Sequence, residues 1–160
     1  MTPKISSDQL SLLQFERVLV REATFLDVEG KHEPAPPQVA KGLGIQLQVR
    51  AAYSKTGDQA FVTVRVNLEP PPNSDLFVKL SAAVEGVFSI RPGTERQRLQ
   101  EFSTLQAPVL LLPYVRQVIT SLTAQSRIGA VVLPPLNMAE VVKQMREGAT
   151  ETQTAQRPGD

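Results

Sequence analysis

The side chains that could act in acid–base chemistry are few, and none has the partners that catalysis needs. The single histidine, His32, lies in the charged, proline-containing segment 31–37. A general base needs a nucleophile and an orienting acid within reach, and the sequence offers no candidate for either. We therefore interpret His32 as a solvated loop residue. Asp27 and Glu29 are spaced like a carboxylate pair, but charges that end an exposed strand explain this spacing better.

Two further motifs could bind an anion, and neither lies in the right context. The Gly-Leu-Gly motif at 42–44 precedes a predicted strand, whereas a phosphate-binding loop precedes a helix. Arg91, Arg96 and Arg98 cluster without aromatic residues, so we interpret them as solvated residues at a helix start. With no Cys and one His, the chain lacks a thiolate nucleophile and a Cys- or His-rich metal site. We predict no catalytic residue, no metal site and no cofactor, and hence no enzyme.

Composition and charge favour a single binding domain. The chain has 160 residues, 41% of them hydrophobic, and this length can bury one cohesive core. It has 17 Lys and Arg against 16 Asp and Glu, and this balance argues against nucleic-acid binding. The N-terminus lacks the apolar region of a secretory signal, and the longest apolar run, 107–113, is far shorter than the roughly 20 residues of a membrane helix. We predict a soluble, cytoplasmic protein without membrane insertion.

The first half of the chain alternates apolar and polar residues with a period of two, which predicts β-strands. The predicted ranges are 15–28, 45–53, 62–68 and 76–90. A turn at Gly57 should join the second and third strands into an antiparallel hairpin, and Gly86 suggests a bulge or a close backbone approach. We expect meander order. The first strand is apolar on both faces, with Phe15, Leu19, Ala23 and Phe25 on one and Val18, Val20, Leu26 and Val28 on the other.

The second half changes to a helical period. Thr94 and Gln97 form a capping-box signal for a short helix, which Pro108 should end. The next helix should begin near 111–112 and end near its C-terminal cap Gly129. Its apolar stripe, a surface for the core or for oligomer contacts, consists of Leu111, Val115, Val118, Ile119 and Leu122. With a last helix over 139–147, the layout is α+β: a four-stranded antiparallel sheet followed by two or three helices.

Three regions follow from these patterns. We predict a flexible N-terminal segment over 1–14, a domain over 15–147 and a disordered tail over 148–160, which lacks apolar periodicity. Within the domain, segment 131–136 is apolar but contains two prolines, so it cannot pair as a central strand. Such a segment either covers a core or lines a groove. A groove-forming binding protein and a structural adaptor for one folded partner both remain open at this point.

Three motifs in order resemble the SecB family of bacterial protein-export chaperones. They are Gly86-Val-Phe-Ser-Ile90, Pro113-Tyr114-Val-Arg116 with Ile119 and Leu122, and Leu133-Pro-Pro-Leu136-Asn137. The resemblance covers about residues 15–137. It implies a dimer of dimers (a homotetramer) that holds unfolded polypeptides in long apolar grooves without ATP. The implied clients are export precursors or, in toxin–antitoxin relatives, an antitoxin.

The resemblance also implies roles for particular residues. The implied client groove is lined by Val78, Leu80, Ala82, Val84, Val132, Leu133, Leu136 and Met138. In export members the outward sheet face is acidic and docks the translocation motor SecA. Here Glu22 matches one acidic position, but Leu26 occupies another, and Lys79 and Ser81 also lie at outward positions. Because the chain carries a net charge of +1, we expect SecA binding to be weak and salt-sensitive at best.

Overall fold

The predicted α+β class is confirmed, since a four-stranded antiparallel sheet precedes the helices. The computed structural model describes residues 13–27, 43–70, 78–126 and 129–143. The strands are β1 (Leu13–Asp27), β2 (Gly44–Tyr53), β3 (Gln59–Glu69) and β4 (Val78–Ile90). β1 thus begins inside the segment 1–14, and Leu13 is buried in the core. Glu29, His32, Gly42 and the predicted tail at 148–160 lie outside the described residues.

The strand order is β1-β4-β3-β2, so the expected meander is wrong for β1. β1 pairs with β4 along its whole length, from Leu13 opposite Ile90 to Asp27 opposite Val78. β2 and β3 form the predicted hairpin in continuous register, with Gly57 in its turn at a φ of 74°. The length of the connection between β1 and β2 explains why these two strands need not pair. Residues 28–43 are too many for the two- to five-residue loop that forces neighbouring strands into a hairpin.

Two register shifts in β1 change which of its side chains face the helices. They lie between Phe15 and Arg17 and between Val20 and Glu22, and each leaves one residue of β1 out of the pairing, as in a β-bulge. The faces expected from unbroken alternation are therefore wrong. By register with β4, the helix side of β1 holds Phe15, Val18, Val20, Ala23 and Phe25, and the outer side holds Arg17, Leu19, Glu22, Thr24 and Leu26.

The helical half is more continuous than the prolines suggest. Helix α1 (Arg96–Glu101) runs through a π-helical turn (Phe102–Gln106) into α2 (Ala107–Thr123). Pro108 therefore does not end a helix: it lies in the first turn of α2, where its missing N–H costs little. Pro113 lies inside α2 and is exposed, so water can reach the carbonyl that its ring leaves unbonded. The predicted capping box is also wrong, because Glu95 is the N-cap residue and makes no side-chain cap.

Helix α2 covers the helix side of β1, β3 and β4. The structure places Leu111, Val115 and Ile119 of the predicted stripe in the core, and Val118 and Leu122 at its margin. Gly86 is the point of closest approach, because a Cβ atom there would lie 2.7 Å from Leu111 Cδ2. Helix α2 ends at Thr123, before Gly129, which has a positive φ of 75° in the following turn and so does not cap α2.

A last helix, α3, begins at Met138, one residue before its predicted start, and is described as far as 143. The Asn137 side chain caps it by accepting a hydrogen bond from the Glu140 N–H (3.4 Å). Within the described ranges, no helix is long and apolar enough to cross a membrane. Nor do the described Asp and Glu residues form a cluster that could hold a metal ion.

Candidate functional site

The apolar segment between α2 and α3 is extended and fastened along α2. The Thr120 hydroxyl donates to the Val131 carbonyl (3.1 Å), and the Val131 N–H donates to Thr123 Oγ1 (2.8 Å). Further along, Arg116 Nη2 donates to the carbonyl of Pro134 (3.1 Å). These bonds fix the rotation of the segment about its own axis. Alternate side chains must therefore point in opposite directions.

The consequence is a row of apolar side chains held outward. Val131 and Leu133 are 4% and 3% exposed and belong to the core, whereas Val132 between them is 63% exposed. Leu136 is half-buried against the core. An exposed valine on a mobile loop would be unremarkable, but here the Thr120 and Thr123 side chains are hydrogen-bonded to the main chain of Val131 and so hold the backbone beside Val132. The segment therefore covers the core, as one of the two alternatives predicted, and it also exposes apolar side chains to solvent.

A second apolar row on the same side of the sheet is only partly covered. By register with buried residues of β3, the inner residues of β2 are Ile45, Leu47, Val49, Ala51 and Tyr53. The first three are half-buried and Tyr53 is 42% exposed, since α2 lies over β1, β3 and β4. The Tyr53 hydroxyl donates to Ser103 Oγ (3.2 Å), which ties the end of β2 to the π-helical turn. We call Ile45, Leu47, Val49, Val132 and Leu136 together the helix-side apolar surface.

The residues that the resemblance implied for a groove divide into two groups. Leu80, Ala82, Val84, Leu133 and Met138 are between 0% and 6% exposed, so in this chain they belong to the core. Val132 and Leu136 are accessible, and Val78 is the first residue of β4. Sequence reasoning missed the inner row of β2. The alternation of apolar and polar residues in β2 was visible in the sequence. Such alternation shows which face of a strand is apolar, but it does not show whether another element covers that face.

A separate apolar surface lies where β1 meets α2. Phe15, Val20, Leu110 and Tyr114 are each between 39% and 56% exposed. The Phe15 ring lies 5.2 Å from that of Phe88 and 6.1 Å from that of Tyr114, so it joins the core to the helix surface. Leu110 and Tyr114 are one helical turn apart. We call these four residues the β1–α2 surface. It was not predicted as a surface, because the helix was expected to begin after Leu110.

The outer face of the sheet is polar and contains ion pairs that cross strands. Glu22, the predicted docking acid, lies 2.8 Å from Arg65 Nη2, and Arg21 lies 2.6 Å from Glu85 Oε1. Ser81 donates to the Asn67 side chain (2.8 Å), and Lys79 and Leu26 are exposed. Glu22 is therefore not a free acid but one half of an ion pair.

One carboxylate of the described chain has a shifted pKa. In the β2–β3 turn, hydrogen bonds from the Thr56 hydroxyl and then from that of Ser54 lower the pKa of Asp58 below its usual value. Asp58 is fully exposed and forms part of the turn. Its role is therefore structural.

Comparison with known sequences decides the family. A family described as "Preprotein translocase subunit SecB" matches residues 7–148. The chain belongs to the SecB family. The Protein-export protein SecB of Alcanivorax borkumensis is 23% identical over 145 residues, which cover 89% of this chain and 91% of that one. An uncharacterized protein of Methanocaldococcus jannaschii is 27% identical over 149 residues, which cover 88% and 91%.

A solved SecB-like structure has the same fold. The Mycobacterium tuberculosis Rv1957 SecB-like chaperone, in complex with a ChAD peptide from the HigA1 antitoxin, aligns with a TM-score of 0.57. The alignment covers 78% of this chain and 91% of that chain at 15% identity. The resemblance drawn from the three motifs is thus confirmed. As a SecB-family member, the chain has a chaperone role that involves polypeptide binding, and it is not an enzyme.

Proposed function

We propose that this SecB-family chaperone is an ATP-independent holdase that binds unfolded polypeptides along its helix-side apolar surface. The observation that supports this is the outward row of the segment 131–136. Hydrogen bonds to α2 hold Val132 at 63% exposure while its neighbours enter the core. Contiguous apolar surface that a fold leaves exposed commonly marks a binding site.

The chemistry of the surface fits a client without fixed sequence. Its side chains are aliphatic, and none of them offers a hydrogen-bond donor or acceptor. Each apolar contact contributes roughly 25 cal/mol per Å² that it removes from water, whichever apolar residue supplies it. A row of such contacts binds many extended segments, each weakly, and needs no nucleotide to release them.

The proposal extends to partners. Clients would be export precursors, as the names of the SecB relatives suggest, or an antitoxin, as in the M. tuberculosis complex. SecA docking at Glu22 would be weak and salt-sensitive, because Arg65 already neutralises that carboxylate. A second copy of the chain would cover the β1–α2 surface, and a dimer of dimers would then extend the apolar surface across subunits.

The test is suppression of aggregation of a chemically unfolded protein, measured by light scattering without nucleotide. The perturbation is Val132→Asp, and the matched control is Leu26→Asp, since Leu26 is 53% exposed but lies on the outer face. Both side chains are exposed, so both variants should fold. We expect Val132→Asp to bind clients about tenfold more weakly, or ~1.4 kcal/mol. Leu26→Asp should suppress aggregation like the unmodified chain.

Several outcomes would overturn the proposal. No suppression by the unmodified chain at any ratio, or equal loss in both variants, would exclude a holdase surface at Val132. Stoichiometric binding to one folded protein, with indifference to unfolded chains, would favour the structural adaptor. A monomer in light scattering would contradict the proposed assembly, and tight SecA binding that is insensitive to salt would contradict the expectation for Glu22.

A further inference from the structure

The centre of the outer sheet face contains a depression surrounded by arginines. It has a volume of about 280 Å³ and is lined by Arg21, Gln48, Arg50, Thr63, Arg65 and Glu85. Strand register explains why these residues meet. Arg50, Thr63 and Glu85 lie opposite one another across β2, β3 and β4, and Gln48 and Arg65 occupy the next outward row. The small side chain of Ala83, opposite Arg65, leaves room between the longer ones.

The ion pairs of this face are arranged with their cations outward. The side chain of Arg21 is 56% exposed, whereas that of its partner Glu85 is only 14% exposed. Glu85 also accepts a hydrogen bond from the Thr63 hydroxyl on its second oxygen (3.4 Å), so both carboxylate oxygens are engaged. The Arg65 side chain is likewise more exposed than that of Glu22, at 42% against 32%. Solvent therefore meets guanidinium groups above partly shielded carboxylates.

Arg50 adds a positive charge that nothing in the described part of the chain neutralises. It is exposed on β2, and among the described residues it has no ion-pair or hydrogen-bond partner. The lining of the depression thus has three cations and one carboxylate. Guanidinium groups bind carboxylates through two parallel hydrogen bonds, and each of these arginines keeps N–H groups free for such a contact.

We propose that this depression binds an acidic polypeptide segment, whose carboxylates contact Arg50 together with the exposed edges of Arg21 and Arg65. The volume suits one or two carboxylate side chains. A polypeptide is favoured over a nucleic acid because the lining has no aromatic ring on which a base could stack, and because the chain has a net charge of only +1. This site lies on the opposite face from the helix-side apolar surface and does not depend on the proposed holdase function.

Fluorescence anisotropy with hydrophilic peptides tests the proposal, because such peptides offer nothing to the apolar surface. The probe is a labelled peptide of alternating Glu and Ser, with Gln–Ser and Lys–Ser peptides of equal length as comparisons. We expect binding of the Glu–Ser peptide only, weakened as salt rises from low to physiological concentration. Arg50→Gln should weaken it roughly five- to tenfold and Arg50→Lys by less, since lysine keeps the charge but loses the paired geometry.

The matched control is Arg96→Gln, which removes the same charge from an exposed position on α1. It should change the affinity by less than about twofold, because it lies on another element of the fold. Equal losses in Arg50→Gln and Arg96→Gln would reveal a general charge effect and overturn the site. Equal binding of all three peptides, no binding of the Glu–Ser peptide, or tighter binding of a single-stranded oligonucleotide would each overturn it as well. Suppression of aggregation by the same Arg50→Gln protein reports separately on the holdase function.

Discussion

Gly86 lies where β4 passes directly beneath α2, and replacing it with alanine should destabilise the fold. The new Cβ atom would lie 2.7 Å from Leu111 Cδ2 and 2.8 Å from Phe88 Cε2. Carbon atoms in contact prefer about 3.5–4.0 Å, so both neighbours would have to move. Leu111 and Phe88 are fully buried, and a close-packed core resists such movement.

The expected magnitude is the difference between two effects. Overpacking a core costs about 1–3 kcal/mol, while replacing a strand glycine with alanine gains about 0.5–1 kcal/mol in backbone entropy. Gly86→Ala should therefore lower the free energy of unfolding by about 1 kcal/mol, within a range of about 0–2.5 kcal/mol. At Gly44 the nearest atom to a new Cβ is the Glu69 carbonyl oxygen at 3.7 Å, an ordinary contact. Gly44→Ala is thus a matched control and should be neutral or stabilising by up to about 1 kcal/mol.

The assay is urea unfolding followed by far-ultraviolet circular dichroism, at one fixed protomer concentration because any assembly would shift the midpoint. A double-mutant cycle with Leu111→Ala adds a second reading. If the clash is real, the cavity left at Leu111 receives the new methyl group. The double variant should then be destabilised by about 1 kcal/mol or more less than the sum of the two single-variant destabilisations. Equal stability of Gly86→Ala and Gly44→Ala, or strict additivity in the cycle, would refute the packing argument.

Two further predictions concern hydrogen bonds. Thr123 is fully buried, and its Oγ1 accepts a hydrogen bond from the Val131 N–H at 2.8 Å. Thr123→Val should therefore lower the free energy of unfolding by about 1–3 kcal/mol and speed hydrogen exchange at the Val131 amide, whereas Thr123→Ser should change both much less. Unaltered exchange at the Val131 amide in Thr123→Val would contradict this. The pKa of Asp58 is lower in the folded state than its usual value near 3.8. The ionised Asp58 carboxylate therefore stabilises the turn above that usual pKa, and this stabilisation is lost as the pH falls through the lower folded-state pKa. A carboxyl NMR titration should show that pKa rising toward 3.8 in Thr56→Val, and an unchanged titration would exclude the Thr56 hydroxyl as the main cause.

The sequence predicted most of the strands but not their arrangement. Alternation located β2, β3 and β4 within a few residues, because each has one face in the core and the side-chain period in a strand is two. It also located β1, but it assigned the faces of that strand wrongly, because two register shifts exchange them partway along the strand. A bulge needs only one extra residue and leaves no compositional mark in an apolar strand. The helical half failed differently, because Pro108 and Pro113 suggested boundaries that the local backbone accommodates.

The candidate site was predicted in outline and not in detail. The apolar segment 131–136 was predicted to cover the core or to line a groove: Val131 and Leu133 do cover the core, Val132 is exposed, and the groove stays a prediction. The implied groove residues Leu80, Ala82 and Val84 turned out to be covered, whereas the half-exposed row of β2 was missed. Which of two similar apolar rows is covered depends on where α2 crosses the sheet, and no local pattern records that crossing.

The sequence by itself determined the fold class and the family. Periodicity and residue types are local properties, and three short motifs were enough to indicate SecB. Only the tertiary structure decided that β1 lies beside β4, that Val132 is held outward and that the arginines of the outer face lie above their carboxylates. Each of these depends on contacts between residues far apart in the chain. A net charge of +1 gives the sum of the charges, and the fold alone determines which of them meet a partner.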